Sequence, residues 1–141
     1  MQEVGEMGDA KGRVLVIDDD PDFVDILKII LEKDGYEIEV ASDPQSGFQK
    51  AVDTKPNIIL LDVMFYAETL GFEYCRRFKN GADTKDIPVI MITSVGDVYG
   101  VDFWPADPDM LPADDYIAKP VNKTDLLDRV DRLIKRASGE K

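Results

Sequence analysis

The stretch Pro56-Asn57-Ile58-Ile59-Leu60-Leu61-Asp62 decides the fold. It is a turn signal, a run of aliphatic residues, and one carboxylate at the end of the run. Such a run is too short for a buried helix and rich in branched side chains, so it predicts a strand covered on both faces, as in a parallel sheet. Asp62 then stands at the carboxyl end of that strand, the edge of an open α/β sheet where ligands bind. A second run, Arg13-Val14-Leu15-Val16-Ile17, ends in Asp18-Asp19-Asp20. If the two strands are neighbours, several carboxylates converge on one small volume.

Working outward, apolar runs alternate with amphipathic stretches. Asp20-Pro21 marks a helix start, with Asp as N-cap and Pro at the first helical position. Phe23, Ile26, Leu27, Ile30 and Leu31 then recur at the spacing of one buried face, and Asp34-Gly35 ends the helix. Tyr36 to Ala41 alternates Tyr36, Ile38 and Val40 with Glu37 and Glu39, which predicts an edge or half-exposed strand. Ser42-Asp43-Pro44 opens a second helix that carries Gly47, Phe48, Ala51 and Val52 on one face, and Pro56 closes it. A third helix is expected over Gly71 to Asn80, with Phe72, Cys75 and Phe78 inward. Ile87 to Ile92 and Asp115 to Ala118 read as two further strands, ending in Thr93 and Lys119. Asn122, with Asp125 three residues on, opens a last helix whose apolar face is Leu126, Leu127, Val130, Leu133 and Ile134.

Five strands alternating with helices predict one doubly wound parallel sheet with helices on both faces and right-handed crossovers. Residues 1–12, with glycines at 5, 8 and 12, read as a flexible lead-in, and residues 138–141 as a flexible tail. The domain proper is expected over 13–137. Between Ser94 and Ala113 the pattern breaks, with Pro105, Pro108 and Pro112 where a fourth helix belongs, so that helix is expected to be short or irregular. Phe103, Trp104 and Met110 in this stretch are a candidate partner or self-association surface.

Composition narrows the function. The 141 residues suffice for one domain with a real core, and 44% hydrophobic content is not a disordered composition. A formal charge of −12 opposes direct binding to nucleic acid or to a membrane surface, which both call for basic patches. No apolar run approaches the ~20 residues of a membrane span, and the N-terminus lacks a signal peptide's basic start. A single cysteine, Cys75, suits a reducing compartment, so a cytoplasmic protein is expected. With no histidine in the chain, Ser-His and Cys-His nucleophile pairs and imidazole metal sites are excluded.

Carboxylates, hydroxyls and lysines remain. Asp18, Asp19, Asp20, Asp62, Thr93 and Lys119 all follow strands, so one sheet edge would gather them. Grouped carboxylates suit a hard divalent cation, most simply Mg²⁺. A cation, an ammonium and a hydroxyl around one nucleophilic carboxylate is what phosphoryl transfer to aspartate needs.

At this point the chain resembles a known family. Val16-Ile17-Asp18-Asp19-Asp20-Pro21, Ile59-Leu60-Leu61-Asp62, Pro88-Val89-Ile90-Met91-Ile92-Thr93 and Tyr116-Ile117-Ala118-Lys119-Pro120 together look like the receiver domain of bacterial two-component response regulators. The resemblance runs from about Arg13 to Ala137 and implies a flavodoxin-like strand order 2-1-3-4-5. It implies that Asp62 accepts phosphate from the phosphohistidine of a sensor histidine kinase or phosphotransfer protein. Asp19 and Asp62 would then bind Mg²⁺ directly, Asp18 mainly through water, and the backbone carbonyl of Met64 would be a further ligand. Thr93 and Lys119 would contact the phosphoryl group, with Thr93 and Tyr116 as the switch pair. No turnover enzyme is implied beyond self-phosphorylation from small donors and slow self-dephosphorylation.

The chain departs from the family pattern at Phe65-Tyr66, where Met-Pro is usual, at Gly71, one residue late, and in its long proline-rich loop from Thr93 to Lys119. Two alternatives stay open. One is a receiver-like module that works without phosphorylation. The other is a haloacid-dehalogenase-type phosphatase, since Asp18-Asp19-Asp20 also contains an Asp-x-Asp pattern. No output domain is expected within the chain after the last helix, and either a stand-alone receiver or part of something longer is expected.

Overall fold

The computed structural model describes residues 11–62, 70–93 and 113–139, with backbone alone for 70–72 and 93. Five strands, β1 (Gly12–Ile17), β2 (Tyr36–Ala41), β3 (Ile58–Asp62), β4 (Val89–Thr93) and β5 (Asp115–Ala118), form one parallel sheet in the order β2-β1-β3-β4-β5. Four helices are described: α1 (Pro21–Lys33), α2 (Pro44–Thr54), α3 (Leu70–Asn80) and α4 (Lys123–Ala137). The expected irregular fourth helix, with Phe103, Trp104 and Met110, falls in 94–112, outside the described residues.

Strand alternation splits the core in two. Val14, Val16, Ile58, Leu60, Ile90, Ile92 and Ile117 pack with Phe23, Val24, Leu27 and Leu31 of α1 and with Leu126, Val130 and Leu133 of α4. On the opposite face Leu15, Ile17, Ile59, Leu61, Val89 and Met91 pack with Ala51 of α2 and with Cys75 and Phe78 of α3. Because β1, β3 and β4 are covered on both sides, their sequences are continuously apolar rather than alternating. Among the described residues β2 has a neighbour on one side only, and its residues 37–40 are half-buried, as its glutamates predict. Burial of the Cys75 thiol pushes its pKa up to about 12, so this side chain is a packing group and no nucleophile.

Helix ends follow the local chemistry. Asp20 accepts from the Asp22 and Phe23 N–H groups and caps α1; Gly35 closes it at φ +100, a conformation open to glycine at no steric cost. Asn122 accepts from the Asp125 N–H at 2.9 Å, while the Asp125 carboxylate takes the Arg129 guanidinium at 2.9 Å. Two expectations are corrected. Ile26 does not join the buried face of α1; it is 50% exposed, and Val24 takes its place. The buried stripe is Phe23, Val24, Leu27 and Leu31, rotated toward the sheet from the stripe that spacing alone suggested. Strand four likewise starts at Val89 rather than at Ile87, which lies buried in the preceding turn.

Candidate phosphoacceptor site

Register places the site. Ile17 pairs with Leu61 across β1 and β3, so Asp18 and Asp62 emerge side by side at the carboxyl edge of the sheet. Both are buried, at 4% and 6% exposure, which is unusual for carboxylates and calls for compensation. Asp19 is exposed, yet Asp18, Asp19 and Asp62 each bring a carboxylate oxygen within 4.8 Å of the others. Thr93 ends β4 opposite Ala118 of β5, which puts its backbone beside the residue before Lys119. From the far side of this edge Lys119 brings its Nζ to 3.4 Å from Asp18 Oδ2 and 4.0 Å from Asp62 Oδ1.

Burial pushes the Asp18 carboxyl above the ordinary carboxylate range, and the negative Asp19 adds to this. The Asp20 N–H, donating to Asp18 Oδ1 at 2.9 Å, and the Lys119 ammonium pull the other way. Asp20, the third member of the acidic run, is used differently. Its carboxylate accepts from the backbone N–H groups of Asp22 at 3.0 Å and Phe23 at 3.3 Å, so it starts α1 and stays out of the oxygen cluster.

The residues singled out from sequence therefore divide. Asp18, Asp19, Asp62 and Lys119 meet at one edge. Thr93 is there by its backbone, while the Met64 carbonyl lies outside the described residues. Tyr116, on β5, is half-buried against the core face that carries α2 and α3, and its phenol oxygen accepts from the Ala113 N–H at 3.2 Å. Burial raises its pKa to about 12. One contact had no sequence signal. The Phe23 ring lies under the Lys119 ammonium, with Nζ 4.3 Å from the ring centroid. Phe23 reads from its spacing as a core residue, which it also is.

The profile of the response regulator receiver domain matches residues 14–131, covering all four of these residues. The chain belongs to this family. Among curated relatives, the receiver is 38% identical over 128 residues to the DNA-binding dual master transcriptional regulator RpaA of Synechocystis sp., covering 88% of this chain and 49% of that protein. It is 35% identical over 127 residues to the phosphate regulon transcriptional regulatory protein PhoB of Pseudomonas aeruginosa, covering 87% of this chain and 52% of that one. This receiver thus spans about half the length of the curated relatives it matches. Among solved structures, a putative response regulator from Chloroflexus aurantiacus superposes with a TM-score of 0.77 at 28% identity, over 89% of this chain and 98% of that one.

Proposed function

We propose that this receiver takes a phosphoryl group onto Asp62 from the phosphohistidine of a sensor histidine kinase or phosphotransfer protein, with Mg²⁺, and that the modified domain binds its partners differently. The observation that carries this reading is the convergence of Asp18, Asp19 and Asp62 oxygens within 4.8 Å, with the Lys119 ammonium 4.0 Å from Asp62.

An all-oxygen, all-anionic donor set at this spacing fits a small hard divalent cation. Asp19 and Asp62 would hold it directly and Asp18 through water, with the Met64 carbonyl as a further ligand. When bound, the ion offsets the negative charge that the acceptor and the phosphoryl oxygens bring together. In the transfer, a carboxylate oxygen of Asp62 forms a bond to phosphorus and the phosphorus–nitrogen bond of the donor breaks. The imidazole leaves with the bonding electron pair and takes up a proton. Lys119 faces the charge that develops on the phosphoryl oxygens, and its preorganised ammonium costs no reorganisation at that moment. The Thr93 hydroxyl would donate to the same oxygens and, with Tyr116, report the modification to the surface beside β5.

On this reading residues 13–137 form a cytoplasmic signalling module, without turnover beyond self-phosphorylation from small donors and slow hydrolysis. The net charge of −12 over the 141 residues supports protein partners rather than nucleic acid. A phosphatase built on Asp18 and Asp20 is disfavoured because the Asp20 carboxylate is committed to the cap of α1. The test is intact-mass analysis after incubation with acetyl phosphate and Mg²⁺. One phosphoryl group is expected on the native chain and none on Asp62→Asn; equal labelling of both overturns the assignment.

A further inference from the structure

The position of Lys119 is not explained by its two carboxylate partners alone. Its Nζ stands 3.4 Å from Asp18 and 4.0 Å from Asp62. Both separations exceed the ~2.7–2.9 Å of a close charge-assisted hydrogen bond. A lysine side chain has four rotatable bonds and about 2 kcal/mol of rotamer entropy to resist being fixed. What supports the ammonium from below is the face of the Phe23 ring, at 4.3 Å. The ring's negative quadrupole attracts a cation in this position, more strongly where water is excluded. Phe23 is 8% exposed and the Lys119 side chain 20%, so the contact is largely shielded.

Phe23 is itself fixed by the acidic run. Asp18 Oδ1 accepts from the Asp20 N–H at 2.9 Å, and Asp20 Oδ1 accepts from the Phe23 N–H at 3.3 Å. The Phe23 ring then carries Lys119, and Lys119 returns to Asp18. The circuit closes on the same buried carboxylate from which it starts. Resting on the phosphoacceptor reading of Asp62, we infer that Phe23 is a positioning residue: its ring face holds the Lys119 ammonium between Asp18 and Asp62, ready for the incoming phosphoryl oxygens. Removing the ring face frees the lysine to sample solvent or to collapse onto one carboxylate, and phosphoryl uptake slows.

The experiment compares native protein with Phe23→Leu, which keeps an apolar side chain and removes the ring, and Phe23→Tyr, which keeps the ring face. Phe23→Met, unbranched and similar in size, replaces the leucine variant should that one not fold. The first readout is the proton resonance of the Lys119 methylene next to the ammonium. It is expected upfield, by the ring current, in the native and tyrosine proteins and at its ordinary position in the leucine protein. The second is the rate of phosphoryl gain from acetyl phosphate, expected to fall about threefold to tenfold in the leucine variant and to recover with tyrosine, in line with one cation–π contact. An unshifted Lys119 resonance in the native protein overturns the inference. So does an upfield resonance combined with equal uptake by the native and leucine proteins. If the native chain takes up no phosphoryl group at all, the phosphoacceptor reading fails, and the resonance still decides whether Phe23 holds Lys119.

Discussion

Asp18 and Asp62 stand next to each other across the β1–β3 ladder, one residue beyond the Ile17–Leu61 pair, and both are buried. Two anionic side chains in adjacent buried positions repel each other, and Lys119 offsets this only from 3.4 and 4.0 Å. The site is therefore a place where the fold gives up stability to keep a charge arrangement. Asp62→Asn, which keeps the shape and removes one charge, is expected to stabilise the divalent-free protein by on the order of 1 kcal/mol. Urea unfolding in the presence of a chelator measures this. A variant less stable than the native chain would show that the repulsion is already fully compensated.

A bound cation relieves the same repulsion from outside. Magnesium is expected to raise the native unfolding temperature, and at a hundredfold excess over its dissociation constant the gain is about 2.7 kcal/mol. Asp19→Asn removes an exposed oxygen from the cluster and is expected to abolish most of that gain while leaving the metal-free stability close to native. Thermal scans with and without Mg²⁺ read both quantities. An undiminished response in Asp19→Asn would exclude this residue as a ligand.

Much of this site was legible in the chain because strand ends are marked twice, by the apolar run and by the polar residue that stops it. Asp62 and Lys119 end or directly follow β3 and β5, and parallel pairing brings like ends to one edge. Strand order was not legible from periodicity; it came with the family resemblance. The rotation of α1 was hidden for another reason. Phe23, Ile26, Leu27, Ile30 and Leu31 and the observed set Phe23, Val24, Leu27 and Leu31 are both acceptable helical stripes. Only the docking of α1 on Val14, Val16 and Leu60 chooses between them. The Phe23–Lys119 contact joins residues far apart in the chain, and no local pattern encodes it.

The division of α1 into a buried and an outer face is open to a direct check by paired substitutions. Leu27 is fully buried, and Leu27→Ala is expected to cost about 2–5 kcal/mol through lost burial and the cavity left behind. Ile29 is 63% exposed, and Ile29→Ala is expected to stay within about 0.5 kcal/mol of native. Chemical denaturation of the two variants orders them. Comparable losses would mean that the outer face of α1 is covered in solution.

Gly47 is a case in which a substitution that favours the helix harms the fold. In the interior of α2 alanine has the better propensity by about 1 kcal/mol. A Cβ at this position would lie 2.4 Å from Ile17 Cδ1 and 2.7 Å from Ile17 Cγ1, closer than real contacts allow. Ile17 is itself fully buried in β1 directly before Asp18, so it has little room to yield. Gly47→Ala is expected to destabilise by about 1–3 kcal/mol net, by the overpacking mechanism. Unfolding midpoints test this, and a stabilised variant would show that α2 can shift off the sheet at little cost.

The N-cap of α2 predicts a pH dependence with a definite sign. Asp43 Oδ1 accepts from the Ser46 N–H at 2.8 Å and Oδ2 from the Ser46 hydroxyl at 2.9 Å. These bonds, the backbone one foremost, favour the ionised form and hold the carboxyl below its ordinary value of 3.8. A folded-state value below the unfolded one means that the unfolded chain binds the proton more readily, so stability rises with pH across this window. The contribution is fully present above the ordinary value and is lost as pH falls through the lower folded-state value. Asp43→Asn keeps a cap oxygen and carries no titrating charge, so its deficit against native protein is expected to shrink on acidification below pH 3.8. Asp43→Ala loses the cap acceptor itself and should be weaker near neutrality by about 1 kcal/mol. Because every other carboxylate titrates equally in native and variant, the difference between their stability curves isolates this one group. A gap between native and Asp43→Asn that stays constant across that window would mean the Ser46 bonds do not discriminate between the two protonation states.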